Sequence, residues 1–480
     1  KFFLSMEDSL ALQPDHRLMS KRDHIHFVTG RLAEHALRDI VKELAAKVGF
    51  AYSIDVLPIT VAALMTPKWV ARHIQIPSET THIVLPGYCN GDLAPLEQLS
   101  DLPIDRGPHD LRELPTLFGH QSDARKDYGK YSIEILAEIN HAPRLSLAEI
   151  EEHARQLVAD GADLIDIGCE PSHTWQNVGD AVRLLKDLGL RVSIDSFNVA
   201  EIEAAVEAGA ELVLSVNSSN REAACDWGCE VVVIPDDIET QAGLEETTQL
   251  LTERQVPVRL DPILEPIGCG FTTSLQRYWK VREQYPDLPM MMGIGNITEL
   301  TDTDSLGINL LLLAICEELK IHSVLTTQVI NWARSSVREC ALARQLVYHA
   351  HTHRVIPKHT APELVVLRDP RLLPMGTESL ERLSKQIKDP NYRLFAEDGR
   401  LHIMNSEVHI SGTNPYELFA KLMATEPRNV DPSHAFYLGY ELSKAVTALT
   451  LGKQYRQDEA LNWGFLTIPE KTHRNQKPTD

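Results

Sequence analysis

Between Tyr131 and about Ala350 the chain repeats one unit eight times: a short apolar run of strand length, then a stretch with helical spacing. The runs are YSIEILAEI, ADLIDIG, RVSIDS, ELVLSVN, EVVVIPDD, PVRLDPIL, PMMMGIGN and HSVLTTQ. Strands that alternate with helices call for a parallel sheet, because parallel neighbours are joined only through crossovers. Eight units in about the length a single barrel takes predict a central (β/α)8 TIM barrel, with an open doubly wound sheet as the alternative. In SLAEIEEHARQLVADG, the residues Leu147, Ile150, Ala154, Leu157 and Val158 are expected on one apolar face, closed by Gly161. NVAEIEAAVEAG begins at a capping Asn198, with Glu201 expected as its supporting acid three residues on.

The flanks have other patterns. From Asp23 to His120, the runs HIHFVTG, AYSIDVLP and THIVLPG alternate with amphipathic stretches such as RLAEHALRDIVKELAAKVG. This predicts an N-terminal Rossmann-like α/β domain. Asn90, Asp92 and Arg106 follow its strand ends, where open parallel sheets bind ligands, although ordinary turns use the same residue types. After about Arg354, PNYRLFAEDGRLHIMN reads as a hairpin turning at Asp398 and Gly399, followed by two amphipathic helices. That is a small C-terminal α+β domain. The expected divisions are an extension at 1–22, the N-terminal domain at 23–125, the barrel at 126–350, the C-terminal domain at 351–470 and a polar tail at 471–480.

Charge and cysteine usage narrow the partners. A net charge of −21 over 480 residues argues against a general nucleic-acid or membrane-surface binder, which needs a basic face. No window approaches the roughly 20 apolar residues of a membrane span, and KFFLSM is too short for a signal-peptide core. Seven scattered cysteines read as reduced thiols, which points to the cytoplasm. The histidines of VYHAHTHR, the pair Cys225 and Cys229, which helical spacing would bring together, and the run Met290 to Met292 read as packing rather than metal sites.

Polar residues recur where the barrel runs end: Glu138 and Asn140, Asp166 and Glu170, Asp195, Asn217, Asp236 and Asp237, Asp261, Asn296, then Thr326, Thr327 and Gln328. In a TIM barrel these ends converge on one mouth. Any one of them alone reads as a cap or loop residue, but the set marks a site. Imidazoles and thiols are too few for zinc. Carboxylates accept paired N–H donors and amides both donate and accept, which suits a flat, nitrogen-rich heterocycle with an amino-amide edge, such as a pterin.

The stretches ILAEIN, DLIDIGCEPS, VSIDSFN, LVLSVNS, VRLDPIL and MMMGIGN resemble the pterin-binding barrel shared by dihydropteroate synthases and pterin-dependent methyltransferases. With its flanks, the arrangement resembles the dihydropteroate synthase-related proteins found mainly in archaea. The resemblance implies that Asp195, Asn217 and Asp261 grip the pterin edge and that Asn140 lies near Mg2+ and a diphosphate. The expected substrate-binding group is Asn140, Asp166, Glu170, Asp195, Asn217, Asp236, Asp261, Gly293, Asn296 and Gln328, with Asp195, Asp261 and Asn296 as catalytic candidates.

The chain departs from the synthase pattern where that pattern carries cations: INHAPRLS, GIGNITEL and LTTQ stand at those places. His141, Arg144 or the N-terminal zone would have to replace them. GIGNIT is similar to the methyltransferase motif whose asparagine assists protonation at N5 of the pterin. Three functions stay open. One is a transferase joining a reduced pterin 6-methyl diphosphate to an arylamine in folate or tetrahydromethanopterin biosynthesis. Another is a methyltransferase relying on a separate corrinoid protein, since the chain has no Asp-x-His-x-x-Gly motif. The third is a pterin-binding protein without chemistry. Analogy with related barrels adds the expectation of a homodimer.

Overall fold

A computed structural model describes residues 23–108, 111–119, 128–171, 174–358 and 360–470, so the expected extension at 1–22 and tail at 471–480 lie outside the described residues. The first four strands are β1 (His24–Gly30), β2 (Ala51–Leu57), β3 (His82–Leu85) and β4 (Ile104–Arg106), in a parallel sheet of order β2-β1-β3-β4. The strand β4 is too short to stand out as an apolar run. The helix Glu34–Val48 buries Leu37, Val41 and Leu44, spaced to form one stripe. Gly49 ends it at φ 92°, a conformation that a side chain would strain.

The eight apolar runs form β5 (Glu134–Ile139), β6 (Leu164–Gly168), β7 (Val192–Asp195), β8 (Leu212–Val216), β9 (Glu230–Val233), β10 (Val258–Leu260), β11 (Met291–Gly293) and β12 (Ser323–Thr326). They pair in parallel from β5 round to β10, and β11–β12–β5 completes the order. A bridge between Leu260 and Met290, with Leu260 N donating to Pro289 O at 2.9 Å, joins β10 to β11 and closes the ring.

The period of two along each strand then separates two environments. Ile135, Ala137, Ile165, Ile167, Ile194 and Val213 are buried in the layer shared with the helices. The alternate residues Leu136, Leu164, Leu212, Leu214, Val232 and Met291 pack together inside the ring. In phase with them toward the strand starts, Arg259 bridges Glu134 at 2.7 Å and Glu230 at 2.8 Å, and Arg191 pairs with Glu134 and Glu211. The barrel is therefore floored by ion pairs and plugged by aliphatic side chains, the arrangement expected of a filled eight-stranded barrel.

Several local expectations change. Ser146 and Glu149 form a reciprocal capping box at the helix Leu147–Asp160, which buries Ile150, Ala154 and Leu157 but leaves Leu147 and Val158 exposed, because only a narrow stripe meets the barrel. Glu201 is not a cap partner of Asn198. Its buried carboxylate accepts from Ser196 Oγ and from Trp175 N, and Asn198 caps Ala200 N alone. Cys225 and Cys229 do not share a helix, since the helix Arg221–Ala224 has already ended, and both thiols are free. Met290, Met291 and Met292 are buried packing residues, and no metal-holding group of His, Cys, Asp or Glu occurs among the described residues. No helix of the described residues is long and apolar enough to cross a membrane.

The chain divides into two compact units between Thr360 and Ala361. The second holds an antiparallel sheet of β13 (Arg393–Glu397), β14 (Arg400–Met404) and β15 (His409–Gly412). Asp398 at φ 50° and Gly399 at φ 71° form the tight β13–β14 turn, as two residues with positive φ match the twist of a hairpin. Leu394, Leu401 and Ile403 of the sheet pack against Leu418 of the helix Pro415–Met423 and against Leu438 and Leu442 of the helix Pro432–Leu451.

Candidate functional site

The strand phase that fills the barrel with leucines also dictates its mouth. Two residues beyond each plug residue, the inward position of β5 is Glu138, of β6 Asp166, and the last residue of β7 is Asp195; Asp261 follows β10 in the same phase as Arg259. Paired register sets Glu138 beside Asp166 and Asp166 beside Ser193. Gly168 opposes Glu138 closely enough that a Cβ there would collide with its carboxyl, so the glycine makes room for the acid.

Each acid has a distinct hold. Asp261 is 4% exposed and accepts from Tyr278 Oη at 2.5 Å and from Ile263 N at 2.8 Å. Burial nevertheless pushes its carboxyl up to about 6, against the opposing pull of those donors. Asp195 accepts from Ser215 Oγ at 2.6 Å and is raised by burial while staying partly open to the cup. Ser215 sits in a bulge of β8 at φ 64°, a strained conformation that points its hydroxyl at Asp195. Asp166 is fully buried and accepts from Ser193 Oγ at 2.5 Å, with Oδ2 left without a partner. Burial, then the neighbouring Asp195 and Glu138, hold it well above the usual carboxylate range. Glu138 is raised to about 7 by burial and then by Asp195 and Glu299.

The remaining expected residues divide. Asn217 lies half-buried after β8, and its Oδ1 accepts from Ser219 N at 3.0 Å and Ser219 Oγ at 2.7 Å, which leaves its amide nitrogen to act as a donor. Asn140 is half-buried at the β5 exit, in phase with Glu138. Glu170 meets both His141, at 3.2 Å, and Arg144, whose side chains are more than half exposed. Gly293 closes β11 beside Asp261, where its backbone N–H helps to hold the carboxylate. Asn296 donates to Leu264 O at 2.8 Å, so its amide is anchored to the loop after β10. Asp236 is exposed and accepts from Ser218 N at 3.0 Å, and Asp237 caps its own turn through Thr240. Gln328 directs its amide to Asp160 of the helix Leu147–Asp160 at 3.4 Å. Glu138, Asp166, Asp195 and Asp261 thus form one acid cluster at the strand exits, with Asn217 in the turn after β8, whereas Asp236 and Gln328 serve loops and helix ends.

In the N-terminal domain, Asp92 and Arg106 take the turn role that the sequence left open for them beside a ligand site. Arg106 donates to Cys89 O at 2.8 Å and to Gly91 O, and Asp92 caps Ala94 N, so both hold the loop after β3. Reading the sequence placed Glu138 at a strand exit but left it out of the binding group. Its phase with Asn140, two residues on, was the available signal. Tyr278 and Glu299 carry no comparable mark, since the first lies within the helix Phe271–Gln284 and the second beyond the short helix Gly295–Thr298.

A cup of buried carboxylates with an amide at its edge can accept several N–H donors from one flat ring, and a carboxyl raised to about 7 can also donate. Comparison with known proteins gives three family matches. Residues 23–109 match a family of unknown function (DUF6513), residues 139–256 the pterin binding enzyme family and residues 381–458 the PterinBD-DUF4346 family. The uncharacterized protein MJ0107 of Methanocaldococcus jannaschii is 26% identical over 90% of this chain and 98% of its own length. Among solved structures, the dihydropteroate synthase of Yersinia pestis is 18% identical with a TM-score of 0.37, covering 46% of this chain and 94% of its own. That of Coxiella burnetii is 15% identical with a TM-score of 0.38, over 46% and 94%. The match to the pterin binding enzyme family at residues 139–256 includes Asp166, Asp195 and Asn217, in line with the motif resemblance.

Proposed function

We propose that the barrel mouth binds a reduced pterin and that the chain is a transferase of the dihydropteroate synthase type, joining a pterin 6-methyl diphosphate to an arylamine. The observation that carries this reading is the acid cluster itself: Asp195 lies close enough to Asp261 to raise its carboxyl, and His141 and Arg144 stand on Glu170, just past the β6 exit. The two aspartates, with Asn217, would receive the amino-amide edge. As anions in a water-poor cup they would stabilise positive charge that develops on the pterin. The amine nitrogen forms a bond to the 6-methylene carbon, the carbon–oxygen bond to diphosphate breaks with its electron pair leaving on the diphosphate, and the amine loses one proton. His141 and Arg144 would turn from Glu170 to the diphosphate. Asn140 offers a single neutral oxygen, which fits Mg2+ because that ion takes most of its ligands from phosphate and water.

The test is turnover of dihydropterin-methyl diphosphate with Mg2+ and either para-aminobenzoate or its ribofuranosyl phosphate derivative, followed by mass spectrometry and diphosphate release. Condensed product that is lost in Asp261→Asn supports the synthase reading, and the preferred amine assigns the product to folate or to tetrahydromethanopterin. Pterin binding without product would reject it in favour of methyl transfer to a corrinoid protein or a binding role. Absence of pterin binding would remove the pterin reading altogether.

A further inference from the structure

The N-terminal domain encloses a cavity of about 320 Å³ that has no part in the barrel mouth. It lies where β1, β3 and β4 end, with Thr29 on one side and Gly87 and Gly107 on the other. The sheet order β2-β1-β3-β4 sends the chain from β1 outward in one direction and then back to its other side, so the gap between β1 and β3 is the switch point where open parallel sheets bind ligands. The walls are apolar: Phe27, Val84 and Leu114 are buried, and Ala36 of the helix Glu34–Val48 keeps one side open by its small size.

The outer edge is supplied from elsewhere in the chain. The helix Ser336–His353 starts near the barrel mouth, where Ser336 Oγ and Thr326 Oγ1 lie 2.7 Å apart. It passes the strand starts, where Arg344 donates to Ile133 O at 2.9 Å, and ends at Arg354 beside this cavity. Its 18 residues span about 27 Å. The cavity and the acid cup are thus at opposite ends of the barrel. Arg354, Ile356 and Lys358 line the rim, with Arg354 Nη1 2.9 Å from His35 Nε2 and Lys358 Nζ 5.7 Å from the centre of the Tyr88 ring. In a chain of net charge −21, the exposed guanidinium of Arg354 stands out at the edge of an apolar cavity, with Asp39 one step away through its ion pair with His35.

We propose that this cavity is a second ligand site, taking a planar aromatic or heteroaromatic molecule that bears one anionic group. The ring lies against Phe27, Val84 and Leu114, and the anion meets Arg354. The volume is at the lower end of the range of small-molecule pockets, enough for one ring system and its substituent. Because of its distance from the cup, the ligand acts as an effector or a carried molecule and not as a reactant at the mouth.

The probe is 1-anilinonaphthalene-8-sulfonate titrated into the full chain by fluorescence, with the uncharged N-phenyl-1-naphthylamine as its partner. Saturable one-site binding of the sulfonate is expected. Ala36→Trp, which fills the cavity, should abolish it. Arg354→Ser should weaken the sulfonate at least tenfold and leave the neutral probe within twofold. Circular dichroism and the thermal midpoint check that each variant is folded, and Ala63→Phe, at the cavity's exposed lip, replaces Ala36→Trp if that variant is not. Sulfonate binding that survives a filled cavity, equal loss of both probes in Arg354→Ser, or no saturable binding would each overturn the proposal. Asp195→Asn should leave probe binding unchanged, so the test stands whether or not the mouth binds a pterin.

Discussion

At the scale of single residues, the cup keeps acids in a place that disfavours their charge. Asp261 is pushed to about 6 and Glu138 to about 7, in both cases chiefly by burial. A carboxyl raised by folding holds its proton more tightly in the native state. Its contribution is therefore fully present below the unfolded value and is lost as pH climbs through the folded one. For Glu138 that window runs from the ordinary 4.5 to about 7, and the loss amounts to about 3 kcal/mol. The urea midpoint of the ligand-free protein should fall between pH 5 and 7.5, and Glu138→Gln should flatten that fall. Equal slopes in the two proteins would show that Glu138 is not the group responsible. The Tyr278 hydroxyl pulls Asp261 the other way by favouring its anion. Tyr278→Phe should move the pH midpoint of pterin binding upward and weaken binding at pH 6 by about tenfold, as expected for one hydrogen bond to a charged group, with a smaller effect at pH 8.

Elements fold for reasons close to hand, and two of them allow measurable tests. The helix Leu147–Asp160 starts at a reciprocal cap, so Ser146→Ala should lower stability by about 1 kcal/mol in urea unfolding without changing ligand affinity. The strand starts are tied by Arg259, which is 12% exposed at its side chain and bridges Glu134 and Glu230. Arg259→Ala would leave Glu230 without its guanidinium and Glu134 with Arg191 alone and should cost about 3 to 5 kcal/mol, whereas Arg259→Met paired with Glu230→Gln should recover much of that loss. If the single variant cost under 1 kcal/mol, the ion pairs would be solvated and not a floor to the barrel.

For the whole molecule, the division between Thr360 and Ala361 separates a unit containing the N-terminal sheet and the barrel from one built on the three-stranded antiparallel sheet. Units with separate cores can unfold separately. Calorimetry should give two transitions, with a reduced pterin raising the midpoint of one alone, because a ligand stabilises the unit that binds it. Limited proteolysis should cut first near residue 360. A single transition shifted as a whole by the pterin would show that the two units unfold together.

The sequence by itself determined the eight strands, the two flanking modules and the positions of Asp166, Asp195, Asn217 and Asp261, because strand phase and turn chemistry are local. A period of two carries Leu136 to Glu138 and Leu164 to Asp166 on the same inward side, whatever lies opposite. The hairpin at Asp398 and Gly399 was legible for a similar reason, since two residues with positive φ are a demand on the backbone alone. Only the tertiary structure decided what those residues meet. Tyr278 reaches Asp261 across 17 positions, Glu138 of β5 and Glu299 after the helix Gly295–Thr298 share one field, and Glu201 turns from its expected cap to Ser196 and Trp175. Arg106, for which the sequence left both a ligand site and a turn role open, holds the carbonyls of the loop after β3, while Arg354, more than 240 residues later in the chain, stands at the cavity edge. Burial, electrostatic coupling and the meeting of distant segments depend on distances in space, and no local pattern of residues records them.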